Sequence, residues 1–148
     1  MTLLKSYYAL CKPNVVYMML ICAFVGMLLA EEAVSSFSYL CISLLGIALC
    51  ASSAAAINQV IDRKTDASMT RTDQRPLPKG ELSVMHASIF AMTIGVIGAL
   101  ILFFYVNTLT MLLTIGSLIG YAFIYTVYLK RATPQNIVIG GLAGAAPP

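Results

Sequence analysis

Charge is what this sequence has least of. Nine Lys or Arg and six Asp or Glu make up a tenth of its 148 residues. Soluble domains carry about a quarter. With 59% hydrophobic residues and a mean hydropathy of +0.87, a water-soluble fold is excluded. The net charge of +3 does not indicate a nucleic-acid partner, because the cations sit between apolar runs. Cysteine is present without a metal pattern. Cys11, Cys22, Cys41 and Cys50 form no C-x-x-C and lie in or beside apolar runs, where they act as small hydrophobes. Lys5 and Lys12 precede an apolar run, but no small-residue cleavage site stands out, so the N-terminus is not expected to be a cleavable signal. The apolar runs also lack Asp, Glu, Lys and Arg. That argues against a transporter or channel, in which charged groups mark an ion path.

What is there is a series of spans. Residues 1–12 form a short amphipathic lead-in ending at Lys12-Pro13. Val15 to Ala30 is the first run, near the lower limit for a span, which a snorkelling Lys12 would extend. Phe37 to Ile57 is the second, ending in the small residues Ala51 to Ala56, which permit close approach in a membrane. Val84 to Val106 is the third. Leu109 to Leu129 is the fourth, after a short connection at Asn107-Thr108. It holds Gly116-x-x-x-Gly120, a close-packing pattern. Ile137 begins a fifth run that stops at Pro148, so the chain reads as incomplete at its C-terminus. The expected architecture is an all-α membrane protein, a multi-pass transmembrane helix bundle forming a single domain over 1–148.

More than half of the charges fall between Asn58 and Gly80, in a polar loop reaching about Ser83. Asn58, Asp62 and Asp66 are spaced four apart. That spacing advances only ~40° per step, so one helix places all three on one stripe. The second helix is expected to run on past its apolar part and carry them. Two carboxylates and an amide suit Mg²⁺, a hard cation that takes oxygen ligands and keeps some waters. Arg71, Arg75 and Lys79 follow, again four apart, with Pro76 and Pro78 breaking the helix. They suit a polyanion, above all a diphosphate. Arg71 and Arg75 also fit plain topology signals.

The loop charges set the topology. Lys5 and Lys12, the five cations of the Asn58–Gly80 loop, and Lys130 with Arg131 alternate with loops that carry none. The positive-inside rule then puts the N-terminus in the cytoplasm. Lys130 and Arg131 fit either a membrane anchor or a grip on phosphate. Tyr125 and Tyr128 fit either interface aromatics or, for Tyr125, a ring that stabilises a cation.

These residues together resemble the UbiA-type intramembrane prenyltransferases. The resemblance rests on N-x-x-x-D-x-x-x-D from Asn58, then Arg71-x-x-x-Arg75-Pro76-Leu77-Pro78. The stretches Tyr125–Asn136 and Ile139–Pro148 resemble the haem O synthase branch, and the likeness covers essentially the whole chain. It implies a nine-helix bundle around a central cavity, of which this chain supplies four full helices and a truncated fifth. A second aspartate-rich motif, after a sixth span, is absent here, so the chain alone is expected to be inactive. The implied reaction moves a farnesyl group from farnesyl diphosphate to a vinyl group of haem b. The products are haem O and diphosphate, and Mg²⁺ is the cofactor.

The implied metal ligands are Asn58, Asp62 and Asp66. Arg71, Arg75, Lys79, Lys130 and Arg131 would hold the diphosphate, and Ser52, Ser53 and Tyr125 would line the prenyl or haem pocket. His86, the sole histidine, is a candidate haem ligand, against the commoner role of a polar helix start. The implied location is the cell inner membrane. Haem A synthase and terminal oxidase assembly are the implied partners besides the bilayer and the two substrates. Two alternatives stay open: a UbiA-type enzyme with another aromatic acceptor such as a quinone precursor, and a membrane fragment with no catalysis of its own.

Overall fold

The computed structural model of the chain describes residues 2–29, 36–70 and 72–120. Among them it is helical, with no strand. The helices are α1 (Leu3–Leu10), α2 (Pro13–Leu29), α3 (Phe37–Ala67), α4 (Val84–Tyr105) and α5 (Thr108–Ile119). Three helix starts are capped by side chains. Ser36 accepts from the Tyr39 amide at 3.2 Å, Ser83 from His86 at 3.2 Å and Asn107 from Thr110 at 2.6 Å. Each satisfies an amide that has no partner inside its own helix.

The apolar runs fall on these helices. α3 and α4 are long and apolar enough to cross a membrane. α2 has seventeen residues and reaches spanning length only with α1, from which it is bent by 47°. The lead-in and first run are thus one broken unit, with Lys12 and Pro13 at the break. Lys12 takes the left-handed backbone, φ 50°, and reaches back into the protein. The expectation that it snorkels outward to lengthen the first span is corrected by that bend. The later part of the fourth run, and the whole fifth, lie outside the described residues.

α3 is the hub: α1, α2, α4 and α5 all pack on it, α4 most extensively. The small residues explain the close α3–α4 seam. A Cβ added at Gly98 would lie 2.9 Å from Cys50 Sγ, from the Gly46 carbonyl oxygen and from Leu49 Cβ. A Cβ at Gly46 would lie 2.6 Å from Leu102 Cδ2. The Ser53 hydroxyl donates to the Ala91 carbonyl oxygen at 2.7 Å. Gly116 and Gly120, the expected packing pair, have no neighbour within 4 Å of such a Cβ among the described residues.

A cluster of Leu10, Ala56, Leu77, Leu82, Ala87 and Ala91 closes the polar end of α3. It joins α1, α3, α4 and the loop between them, and Tyr7 stacks tilted on Phe90 with ring centres 4.8 Å apart. This apolar plug fixes the loop over the polar end of α3. Many large side chains elsewhere on α2, α4 and α5 are exposed, among them Leu28, Met92, Phe104 and Leu112. In an apolar membrane helix such exposure is a surface for lipid or for other helices.

Candidate functional site

α3 runs ten residues past Ile57, the last apolar residue of its run, and those residues carry the polar stripe. Asn58, Asp62 and Asp66 are all buried, at 4%, 4% and 3% exposure. The four-residue spacing therefore does what helix geometry requires: the three face one way, into the protein. Ordinary interfacial charges would stay in water, and these are buried. A buried carboxylate costs several kcal/mol unless it is paired and hydrogen-bonded.

The pairing comes from both ends of the stripe. At one end the Lys12 ammonium donates to Asn58 Oδ1, and the Asn58 amide donates a long 3.5 Å bond to Asp62 Oδ2. At the other end Arg75 Nη1 donates to Asp66 Oδ2 at 2.6 Å. The helix ends at Ala67, well before Pro76, so Arg75 reaches back from a folded loop and not from a continued helix. Turn bonds shape that loop, including Arg75 N–H to the Thr72 carbonyl oxygen at 3.1 Å and Glu81 N–H to the Pro76 carbonyl oxygen at 2.9 Å. The buried Thr72 hydroxyl donates to the Asp66 carbonyl oxygen at 2.9 Å, satisfying a last-turn acceptor. Gly80, at φ 71°, makes the turn toward α4 in a conformation glycine adopts freely.

The remaining expected residues divide. Lys79 is exposed at the loop's outer edge. Ser52 is half-buried on α3, while the Ser53 hydroxyl is committed to the α3–α4 seam. His86 is exposed in the first turn of α4. Arg71, Tyr125, Lys130 and Arg131 lie outside the described residues. Arg63, next to Asp62 in sequence, folds back on its own helix, donating to the Val60 carbonyl oxygen at 2.8 Å.

Two residues come to this site without having been picked out as part of it. Lys12 is one; its only signal in the sequence is a cation set directly before a proline at the start of an apolar run. Gln59 is the other. It is 2% exposed, and its Nε2 donates to the Ala9 and Leu10 carbonyl oxygens at 3.1 and 3.0 Å. Those are last-turn acceptors of α1, so Gln59 bolts α1 to α3. Ser6 of α1 adds a second tie, donating to Glu81 Oε2 at 2.6 Å.

Among the described residues no three of His, Cys, Asp and Glu gather closely enough to cage a metal. Two carboxylates on one stripe form a different kind of site. It is buried, rich in oxygen, and flanked by the cations Lys12 and Arg75.

Residues 19–148 match the model of the UbiA prenyltransferase family. The chain belongs to that family. As a UbiA family member it is 58% identical over 144 residues to protoheme IX farnesyltransferase 2 of Pseudoalteromonas atlantica. It is 56% identical over the same length to the protoheme IX farnesyltransferases of Hahella chejuensis and Saccharophagus degradans. Each alignment takes in 97% of this chain and 47% or 48% of the relative. The chain thus spans about half the length of the curated relatives it matches. No solved structure matches it.

Proposed function

We propose that this chain carries the first aspartate-rich half of a haem O synthase site. In the full-length protein that site would transfer a farnesyl group from farnesyl diphosphate to a vinyl group of haem b. The single observation that carries the reading is the buried Asn58–Asp62–Asp66 stripe, held by a cation at each end. The names of the relatives favour haem b as acceptor over a quinone precursor.

The donor set fits Mg²⁺. That ion is commonly held by one or two carboxylates together with substrate phosphates, not by a closed protein cage. Asp62 and Asp66 would hold it, and Asn58 would add a neutral oxygen or orient a water. In the structure Lys12 and Arg75 supply the positive charge that these buried groups need. Bound Mg²⁺ supplies the charge that stabilises a departing diphosphate.

The chain's own residues do the rest. Arg75 turns from Asp66 toward phosphate oxygens, with Lys79 at the loop edge and Arg71, Lys130 and Arg131 as further candidates. The C–O bond to the diphosphate breaks, and diphosphate leaves with both electrons. The vinyl carbon then bonds to farnesyl C1. Water adds to the neighbouring carbon and loses a proton, leaving a hydroxyethylfarnesyl chain. Apolar walls near Ser52 and Tyr125 would keep water from the allylic cation until the carbon–carbon bond has formed. The N-terminus and the Asn58–Gly80 loop lie on the cytoplasmic face of the cell inner membrane in this reading, and the product passes to haem A synthase or a terminal oxidase.

The test uses membranes containing the full-length protein, with haem b, farnesyl diphosphate and Mg²⁺, analysed by chromatography. A haem O product supports the reading. Prenylation of a quinone precursor with no haem O would replace it.

A further inference from the structure

We propose that Thr72 is a positioning residue of this site: its hydroxyl fixes Asp66 and Arg75 against each other. The inference rests on the reading of Asn58, Asp62 and Asp66 as a metal–diphosphate site. It adds a residue that would touch neither ion nor phosphate and that acts through two residues that would.

The need for such a residue comes from where Asp66 stands. α3 ends at Ala67, so Asp66 lies in its last turn. The last carbonyls of a helix lack donors within that helix, and helix ends fray. The negative end of the helix dipole also disfavours a carboxylate there. Left to α3 alone, Asp66 would be a poorly held ligand.

Thr72 supplies what the helix end lacks. It is 3% exposed, and its hydroxyl donates to the Asp66 carbonyl oxygen at 2.9 Å. The Met69 amide reaches that oxygen only at 3.4 Å. On its other side, the Thr72 carbonyl oxygen accepts from the Arg75 amide at 3.1 Å. Arg75 Nη1 then closes the circuit on Asp66 Oδ2 at 2.6 Å. The three residues form one ring. Asp66 is gripped at its carbonyl by Thr72 and at its carboxylate by Arg75, and Thr72 holds both partners. The Thr72 and Asp73 amides donate to the Met69 carbonyl oxygen at 3.0 and 2.9 Å, which pins the turn that carries the hydroxyl. Ser68 offers the contrast. Its hydroxyl also caps the last turn, at the Thr65 carbonyl oxygen and 2.8 Å, but from an exposed position outside the ring.

The experiment uses the purified full-length protein in detergent, with Mg²⁺ and inorganic pyrophosphate as the probe. Thr72→Val keeps the shape and removes the hydroxyl. Pyrophosphate binding should then need about two- to tenfold more Mg²⁺, the weight of a net hydrogen bond. The KM for farnesyl diphosphate should rise by a similar factor with a smaller change in kcat, because the ring sets groups that bind the substrate before it reacts. Thr72→Ser should restore values close to wild type. In Arg75→Gln protein the ring is already open, so adding Thr72→Val should cost little more. Ser68→Ala should leave binding and KM unchanged.

A second measurement needs no variant. In wild-type protein without ligand, hydrogen exchange should show the Thr72, Asp73 and Arg75 amides protected together with the last turn of α3. Exchange of the Thr72 and Arg75 amides at the rate of an unstructured peptide overturns the assignment. So does folded Thr72→Val protein that binds Mg²⁺ and pyrophosphate as wild type does, a Thr72→Ser variant as weak as Thr72→Val, or full additivity with Arg75→Gln. Asp62→Asn run in parallel separates the two levels. Lost binding there with normal binding in Thr72→Val removes Thr72 alone. Normal binding in Asp62→Asn removes the metal–diphosphate reading beneath it.

Discussion

Arg75 Nη1 lies 2.6 Å from Asp66 Oδ2, so the loop folds back and joins the last acid of α3 to a loop cation. Asp66 is 5% exposed at this contact and Arg75 31%. The acid is therefore buried in the protein, while the guanidinium stays partly exposed. That asymmetry makes Arg75 the partner that can change hands.

Arg75→Gln should accordingly raise the KM for farnesyl diphosphate more than it lowers kcat. Removing one charge-assisted hydrogen bond to an oxyanion costs about 1.5–3 kcal/mol, which is roughly ten- to a hundredfold. Steady-state kinetics on the full-length protein checks this. An unchanged KM would leave Arg75 as a structural partner of Asp66.

The α3–α4 seam predicts a stability effect far from the site. Gly98→Ala places a methyl 2.9 Å from the Gly46 carbonyl oxygen and from Leu49 Cβ. Neither atom is the loose end of a side chain, so the helices must part, at a cost of about 1–3 kcal/mol. Gly116→Ala meets nothing within 4 Å among the described residues and should be neutral or slightly stabilising. Thermal unfolding in detergent compares the two.

These glycines show what the sequence made legible and what it hid. The three-residue-gap pattern at Gly116 and Gly120 says that close approach is permitted. It does not say that a partner helix is present, and the close approach occurs at Gly46, Gly95 and Gly98. The acidic stripe was legible because Asn58, Asp62 and Asp66 sit on one helix, where spacing alone fixes the face. Lys12 is 46 residues from Asn58, and only the bend between α1 and α2 brings it there. The end of α3 at Ala67 was hidden as well. The prolines at 76 and 78 invite a later stop, but Thr72 and Ser68 take up the last carbonyls first.

Gln59 should prove to be the bolt of α1. Gln59→Leu keeps the size but removes both hydrogen bonds; the Ala9 carbonyl oxygen keeps the Lys12 N–H at 3.2 Å, while the Leu10 carbonyl oxygen loses its Gln59 donor. Each buried group left unpaired costs about 1–3 kcal/mol. Hydrogen exchange should therefore speed up across α1 by about tenfold or more, with α4 unaffected. Equal exchange in the two proteins would show that the apolar cluster around Leu10 suffices.

The topology is testable at two described positions. Lys79→Cys and Asn107→Cys, each in a background without the native cysteines, should react with an impermeant thiol reagent from opposite sides of the membrane. Lys79 should be reached from the cytoplasmic side. Reaction of both from one side contradicts the alternation of loop charges.

The most direct test of the central claim is Asp62→Asn in the full-length protein, assayed for conversion of haem b to haem O with farnesyl diphosphate and Mg²⁺. Asparagine keeps the size and removes the charge. Losing the ion it would hold forfeits several kcal/mol of leaving-group stabilisation, so turnover should fall at least about a hundredfold. The protein should still insert, and Arg63→Gln, which loses only a bond to a carbonyl of its own helix, should do far less. Near-normal turnover in correctly inserted Asp62→Asn protein would contradict the account.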